Sequence, residues 1–87
     1  MPEQKTPWTE GELRAAHKAS SLPVPQIRTS ARVGCFNCLR VFQSAEVIEN
    51  GNYAWCPHCG IDSVLPENEV PEIRNPAFLR AMHAFWF

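Results

Sequence analysis

The sequence predicts a small α+β fold stapled by a metal, and three observations predict it. Four cysteines fall into two C-x-x-C pairs, Cys35–Cys38 and Cys56–Cys59. An Asn50-Gly51 dipeptide, a strong hairpin signal, lies between the pairs. The chain is also short, at 87 residues. A chain of this size hides only about 60% of the surface its unfolded form exposes. Below roughly 80 ordered residues such a core usually needs disulfides, a metal or a partner.

Residues 1–8 carry two prolines and no apolar periodicity, and read as a flexible tail. The rest, 9–87, reads as one domain. Thr9 and Glu12 have the spacing of a capping box, and Trp8 and Leu13 that of a hydrophobic staple, so a helix is predicted over 9–20. Its apolar face is thin (Leu13, Ala16 and Ala19 or Ser20), so it needs to dock on something else. Pro23 and Pro25 then predict an irregular or strand-like crossing over 22–33, anchored by Leu22, Val24 and Ile27. After the cysteine block, residues 66–74 form an acidic, proline-bearing connector. Asn75-Pro76 marks the next helix start, with Asn as cap and Pro at the first position. The helix over 75–86 places Phe78, Met82, Phe85 and Trp86 on one side, widened by Leu79.

The cysteine block, 34–65, carries the chemistry. Seventeen residues separate Cys38 from Cys56, the spacing of a C-x₂-C…C-x₂-C zinc site. A two-residue spacer lets the backbone fold into a tight knuckle. Two knuckles then offer four thiolates in a tetrahedron, which suits one structural Zn²⁺ at about 2.3 Å per bond. Gly60 follows Cys59, where a knuckle often needs positive φ; Leu39 fills the matching place after Cys38, so the two knuckles read as inequivalent. Val47-Ile48 and Tyr53–Trp55 flank the turn, with Leu39–Phe42 before and a third short strand at Ser63–Leu65 after. Together these elements predict a zinc ribbon with a helix on either side. Four sulfur ligands leave no coordination position for water, so the site is structural and the protein is not an enzyme.

The same cysteines have two competing readings. Disulfides need an oxidising compartment, and the first twenty residues have no apolar signal stretch, which predicts a cytoplasmic protein. Cys56 and Cys59 alone have the form of a thiol-redox pair, but that chemistry sits in a βαβ frame for which this chain has no room. His58 reads as an exposed spacer rather than a ligand. His17 and His83 read as ordinary helix residues, and Asp62 and Ser63 as turn residues bonding nearby backbone.

Composition is that of a globular protein, 45% hydrophobic and 20% charged, with a formal net charge of −1. Four thiolates around one divalent ion would add a formal charge of about −2. A net acidic domain is a poor general nucleic-acid binder. Arg28, Arg32 and Arg40 flank the first knuckle, however, and with Phe36 and Phe42 could form a local phosphate-and-stacking strip. The competing reading is a solvated basic edge paired with acids of 67–72. Phe85, Trp86 and Phe87 end the chain: they either complete the core, anchor a partner protein or join two copies in a homodimer. No run is long enough to span a membrane.

The strings CFNCLRVF, AEVIENGNYAWCPHCGIDSV and PAFLRAMHAFWF, with His17-Lys18 and Ile27–Ser30 upstream, resemble a set of small bacterial and phage proteins. Their pattern is C-F-x-C, C-P-x-C-G-I-D-S-V and a terminal L-x-x-M-x-x-[YF]-W-F. The resemblance covers about residues 13–87, and Cys56–Val64 is its most specific piece. Asn37 and His58 stand where that set often shows an aromatic. The resemblance implies a stand-alone cytoplasmic zinc-ribbon protein with no enzymatic activity. The function expected is therefore partner-protein binding, as in a phage or bacterial regulatory or inhibitory protein. Nucleic-acid binding is the first alternative and thiol-redox chemistry the second.

Overall fold

The structure is a computed structural model and describes residues 8–87; the remainder of the expected tail, residues 1–7, lies outside the described residues. Among the described residues the chain forms three α-helices and five short strands. Helix α1 spans Glu10–Lys18 and continues as a single 3₁₀ turn over Ala19–Ser21. The capping box forms as the spacing requires: Glu12 N–H donates to Thr9 Oγ1 at 3.1 Å, and Thr9 N–H to Glu12 Oε1 at 2.8 Å. Leu13 is the only buried side chain of α1, so tertiary docking holds the helix in place. Trp8 contributes by packing edge-on against Phe78, with ring centroids 5.1 Å apart.

The crossing after α1 differs from expectation. Residues Val24–Ile27 form a short helix, α2, and only Arg32–Cys35 is a strand, β1. Pro23 is the cap and Pro25 lies in the first turn, where its missing N–H has no helical partner to lose. Val24 and Ile27 are fully buried as the expected anchors, presented from a helix rather than from extended chain.

Strands β2 (Val41–Gln43) and β5 (Val64–Pro66) pair antiparallel with opposite edges of β1, giving the order β2-β1-β5. Val33 faces Phe42 on one side, and Cys35 faces Val64 on the other. Strands β3 (Ile48–Asn50) and β4 (Tyr53–Trp55) form a separate two-stranded sheet. Asn50 pairs with Tyr53, so the turn is Gly51-Asn52, and Gly51 takes the positive φ of 62° that a turn beginning with glycine needs. The predicted hairpin and third strand both form. The third strand pairs with β1, ahead of the first knuckle, and not with the hairpin.

Helix α3 spans Pro76–Trp86, with Asn75 Oδ1 accepting from Ala77 N–H at 3.0 Å. It buries Phe78, Leu79 and Met82, each contributing about 1.5–3 kcal/mol on removal from water. Those side chains join Leu13, Phe36, Leu65, Val70 and Ile73 in one core. A second core gathers Val24, Ile27, Val33, Phe42, Val47, Ala54 and Val64 around Cys35 and Cys56. The acidic connector thus contributes to the interior, because Val70 and Ile73 are buried while Glu69 and Glu72 stay exposed.

Candidate metal centre

Both knuckles have the same backbone bonding. Leu39 N–H donates to Cys35 C=O at 2.9 Å, and Gly60 N–H to Cys56 C=O at 2.8 Å. Cys35 N–H donates to Arg40 C=O, and Cys56 N–H to Ile61 C=O, each at 2.9 Å. The position after each second cysteine is left-handed, at φ 68° for Leu39 and 76° for Gly60. The inequivalence expected from Leu39 therefore does not appear in the backbone. The knuckle imposes its conformation on a residue that ordinarily avoids it.

This fold aims amide groups at sulfur. Asn37 and Cys38 N–H donate to Cys35 Sγ at 3.3 and 3.5 Å, and His58 N–H donates to Cys56 Sγ at 3.3 Å. Cys35 stands at the end of β1 and Cys56 directly after β4, and pairing of β1 with β5 draws the second knuckle back to the first. All four Sγ atoms lie within 4.8 Å of one another and could hold a metal ion. Two contacts run across the knuckles: Cys35 to Cys59 at 3.6 Å and Cys38 to Cys56 at 3.7 Å. Cys35 and Cys56 are buried, whereas Cys38 and Cys59 are partly exposed; none is in a disulfide.

The thiols differ electrostatically. Burial pushes the Cys56 thiol up to about 12, against the amide hydrogen bonds of His58 and Cys59. Burial also raises Cys35, opposed by Ser63 and by the amides of Cys38 and Asn37. Burial likewise works to raise Cys59. There the hydrogen bonds from the Asn37 side chain, the Ile61 amide and the neighbouring thiols prevail, and Cys59 falls to about 7.

Ser63 departs from the sequence expectation. It is buried, and its Oγ lies 3.0 Å from Cys35 Sγ rather than on nearby backbone. A hydroxyl there can donate to a thiolate, an outer contact of the kind that fixes a metal ligand. Its only sequence signal was its place just after the second knuckle, which does not reveal a partner 28 residues earlier.

The side chains of the remaining candidates have other partners or surroundings. His58 is drawn aside by Arg40, whose Nη1 is 3.2 Å from its Nδ1, and packs edge-on to Phe42. Arg28 reaches Glu49 at 3.4 Å and donates to the Val47 carbonyl at 3.2 Å; its partner is the hairpin, not the connector. The connector's Glu67 instead pairs with its own Arg74 at 2.7 Å. Arg32 is exposed at the start of β1. Phe36 and Phe42 are buried, so the basic strip lacks the stacking rings assigned to it. At the C-terminus, Phe85 and Trp86 are half-buried against the first core. Arg14 lies over the Phe85 ring and His17 stacks on Trp86 at 4.0 Å. Phe87 is 59% exposed and stacks on His83, whose Nδ1 is 3.2 Å from the Phe36 carbonyl.

Compared with known proteins, the chain matches no family model, no curated protein and no solved structure. No helix among the described residues is long and apolar enough to cross a membrane.

Proposed function

We propose that this protein is a non-enzymatic zinc-ribbon-like module, folded around one structural Zn²⁺ held by Cys35, Cys38, Cys56 and Cys59, which works by binding a partner protein. One observation carries the metal reading. A tetrahedron with arms of about 2.3 Å has edges of about 3.8 Å. The cross-knuckle contacts of 3.6 and 3.7 Å match that edge. All-sulfur donors favour zinc over hard cations such as magnesium or calcium. Four protein ligands close the coordination sphere, which supports a structural rather than a catalytic ion.

Partner binding is supported by apolar side chains the fold leaves outside. Phe87 is one; Ile48 and Tyr53, 51% and 49% exposed on one face of the hairpin, are two more. A cytoplasmic setting, as for a bacterial or phage regulatory protein, suits four thiols kept reduced for a metal. The test is metal analysis of the purified chain followed by affinity capture from the source cell. One zinc per chain, and a partner whose capture falls at least tenfold with Phe87→Ala or Tyr53→Ser, support the reading. A metal-free folded chain overturns the first half, and capture unchanged by both substitutions overturns the second.

A further inference from the structure

We propose that the centre is also an oxidation site, at which hydroperoxide converts the four thiolates into two cross-knuckle disulfides, Cys35–Cys59 and Cys38–Cys56, and expels the metal. This rests on the metal reading given above. The observation behind it is the pattern of sulfur contacts and exposure. Each cross-knuckle pair joins one buried sulfur to one partly exposed sulfur: Cys35 with Cys59 at 3.6 Å, and Cys56 with Cys38 at 3.7 Å. An oxidant arriving from solvent meets Cys59 and Cys38 first. Each then has a buried sulfur at contact distance, so the first oxidation product is trapped as a disulfide before a second oxidant arrives.

The chemistry balances with hydrogen peroxide as the oxidant. The Cys59 thiolate attacks one peroxide oxygen, the O–O bond breaks, hydroxide leaves, and a sulfenic acid remains on Cys59. The Cys35 thiolate attacks that sulfur, the S–O bond breaks, a second hydroxide leaves and the S–S bond forms. Cys38 and Cys56 repeat the sequence with a second peroxide. Four sulfurs are oxidised, two peroxides are reduced to the level of water, and zinc departs as the divalent cation with no change of charge.

Cross-knuckle pairing has a structural consequence that pairing inside a knuckle lacks. A Cys35–Cys38 or Cys56–Cys59 bond would close each loop on itself and leave the two knuckles untied. The cross-knuckle bonds tie the knuckles to each other, as the metal does, so the oxidised chain keeps its fold without zinc. Reduction and zinc then return it to the starting state.

The experiment treats the zinc-loaded full chain with hydrogen peroxide. Zinc release is followed with a chromogenic chelator, helix content by circular dichroism, and disulfides by mass spectrometry after alkylation. The expected result is one zinc released per two peroxides, links at Cys35–Cys59 and Cys38–Cys56, retained helix content, and recovery of zinc binding after dithiothreitol and added zinc. Links within a knuckle, links between chains, or sulfinic acid without disulfide would overturn the proposal. So would loss of helix content equal to that caused by a chelator under reducing conditions. A chain that holds no zinc at the outset overturns the metal reading separately, and the disulfide map of that same chain still supports or overturns the pairing.

Discussion

The two knuckles share a backbone and differ in what surrounds them. Each closes with the same pair of hydrogen bonds and a left-handed residue at the same place. The first is pressed into the interior: Phe36 is buried, and Cys35 Sγ has Ser63 and two amides around it. The second projects outward: both its spacer residues, Pro57 and His58, are exposed. Ligand geometry is thus set locally and repeats, whereas ligand environment is set by tertiary packing and does not. The first knuckle enters the core through both Cys35 and Phe36, and the second through Cys56.

The largest test removes the proposed ion. Cys35→Ser, or chelation of the native chain, is expected to abolish the cooperative thermal transition, because structural zinc in small domains supplies about 10–16 kcal/mol of apparent binding energy. A chelated chain that still melts cooperatively would show that the two cores suffice alone. Acidification reaches the same end by degrees. In the proposed centre thiolates would be the ligands, and burial pushes the Cys56 thiol up to about 12, so loading must displace its proton. Zinc occupancy should therefore fall as pH is lowered, with proton release on binding measurable by titration in buffers of different ionisation enthalpy.

The asymmetry itself is sharpened by Ser63→Ala. It removes a contact that only the first knuckle has, and should weaken zinc about 10–100-fold in a competition assay. An unchanged affinity would mean that the hydroxyl merely fills space.

These residues also show how far the sequence could be read. The cysteine set, the capping box at Thr9, the Asn75 cap and the hairpin were legible because each is a short-range pattern with one dominant physical cause. What failed was long-range or imposed. Pairing of β1 with β5 joins residues 29 to 33 positions apart, which no local pattern records. Ser63 finds its partner across a similar gap, 28 positions. Helix α2 is hidden in the sequence because Pro23 and Pro25 read as helix breakers, although a cap position and a first turn tolerate them. Leu39 is hidden as well because local preference alone argues against a left-handed leucine, and here the knuckle's closing bonds outweigh that preference.

The smaller tests exchange the two closing residues. Gly60→Ala should cost about 1–2 kcal/mol by forcing a side chain into left-handed backbone. A Cβ at Gly60 would meet no atom within 4 Å, so the loss would be conformational and not steric. Leu39→Gly should change stability least, with a gain of up to about 1 kcal/mol in chemical denaturation. It relieves left-handed backbone at the expense of greater chain entropy in the unfolded state. Leu39 is 39% exposed, so some packing is lost as well. A clear loss there would show that Leu39 contributes packing rather than strain.

The separateness of the hairpin sheet has a consequence for engineering. Strands β3 and β4 hydrogen-bond to each other and not to the three-stranded sheet. Buried Ala54 anchors the hairpin, while its tip at Gly51 and Asn52 is exposed, with open space around Gly51. Loop length costs little once a loop is flexible, about 0.6 kcal/mol per doubling. The tip is therefore a natural place to graft a foreign peptide or an affinity tag, displayed at the end of a short stalk while the base keeps its anchorage.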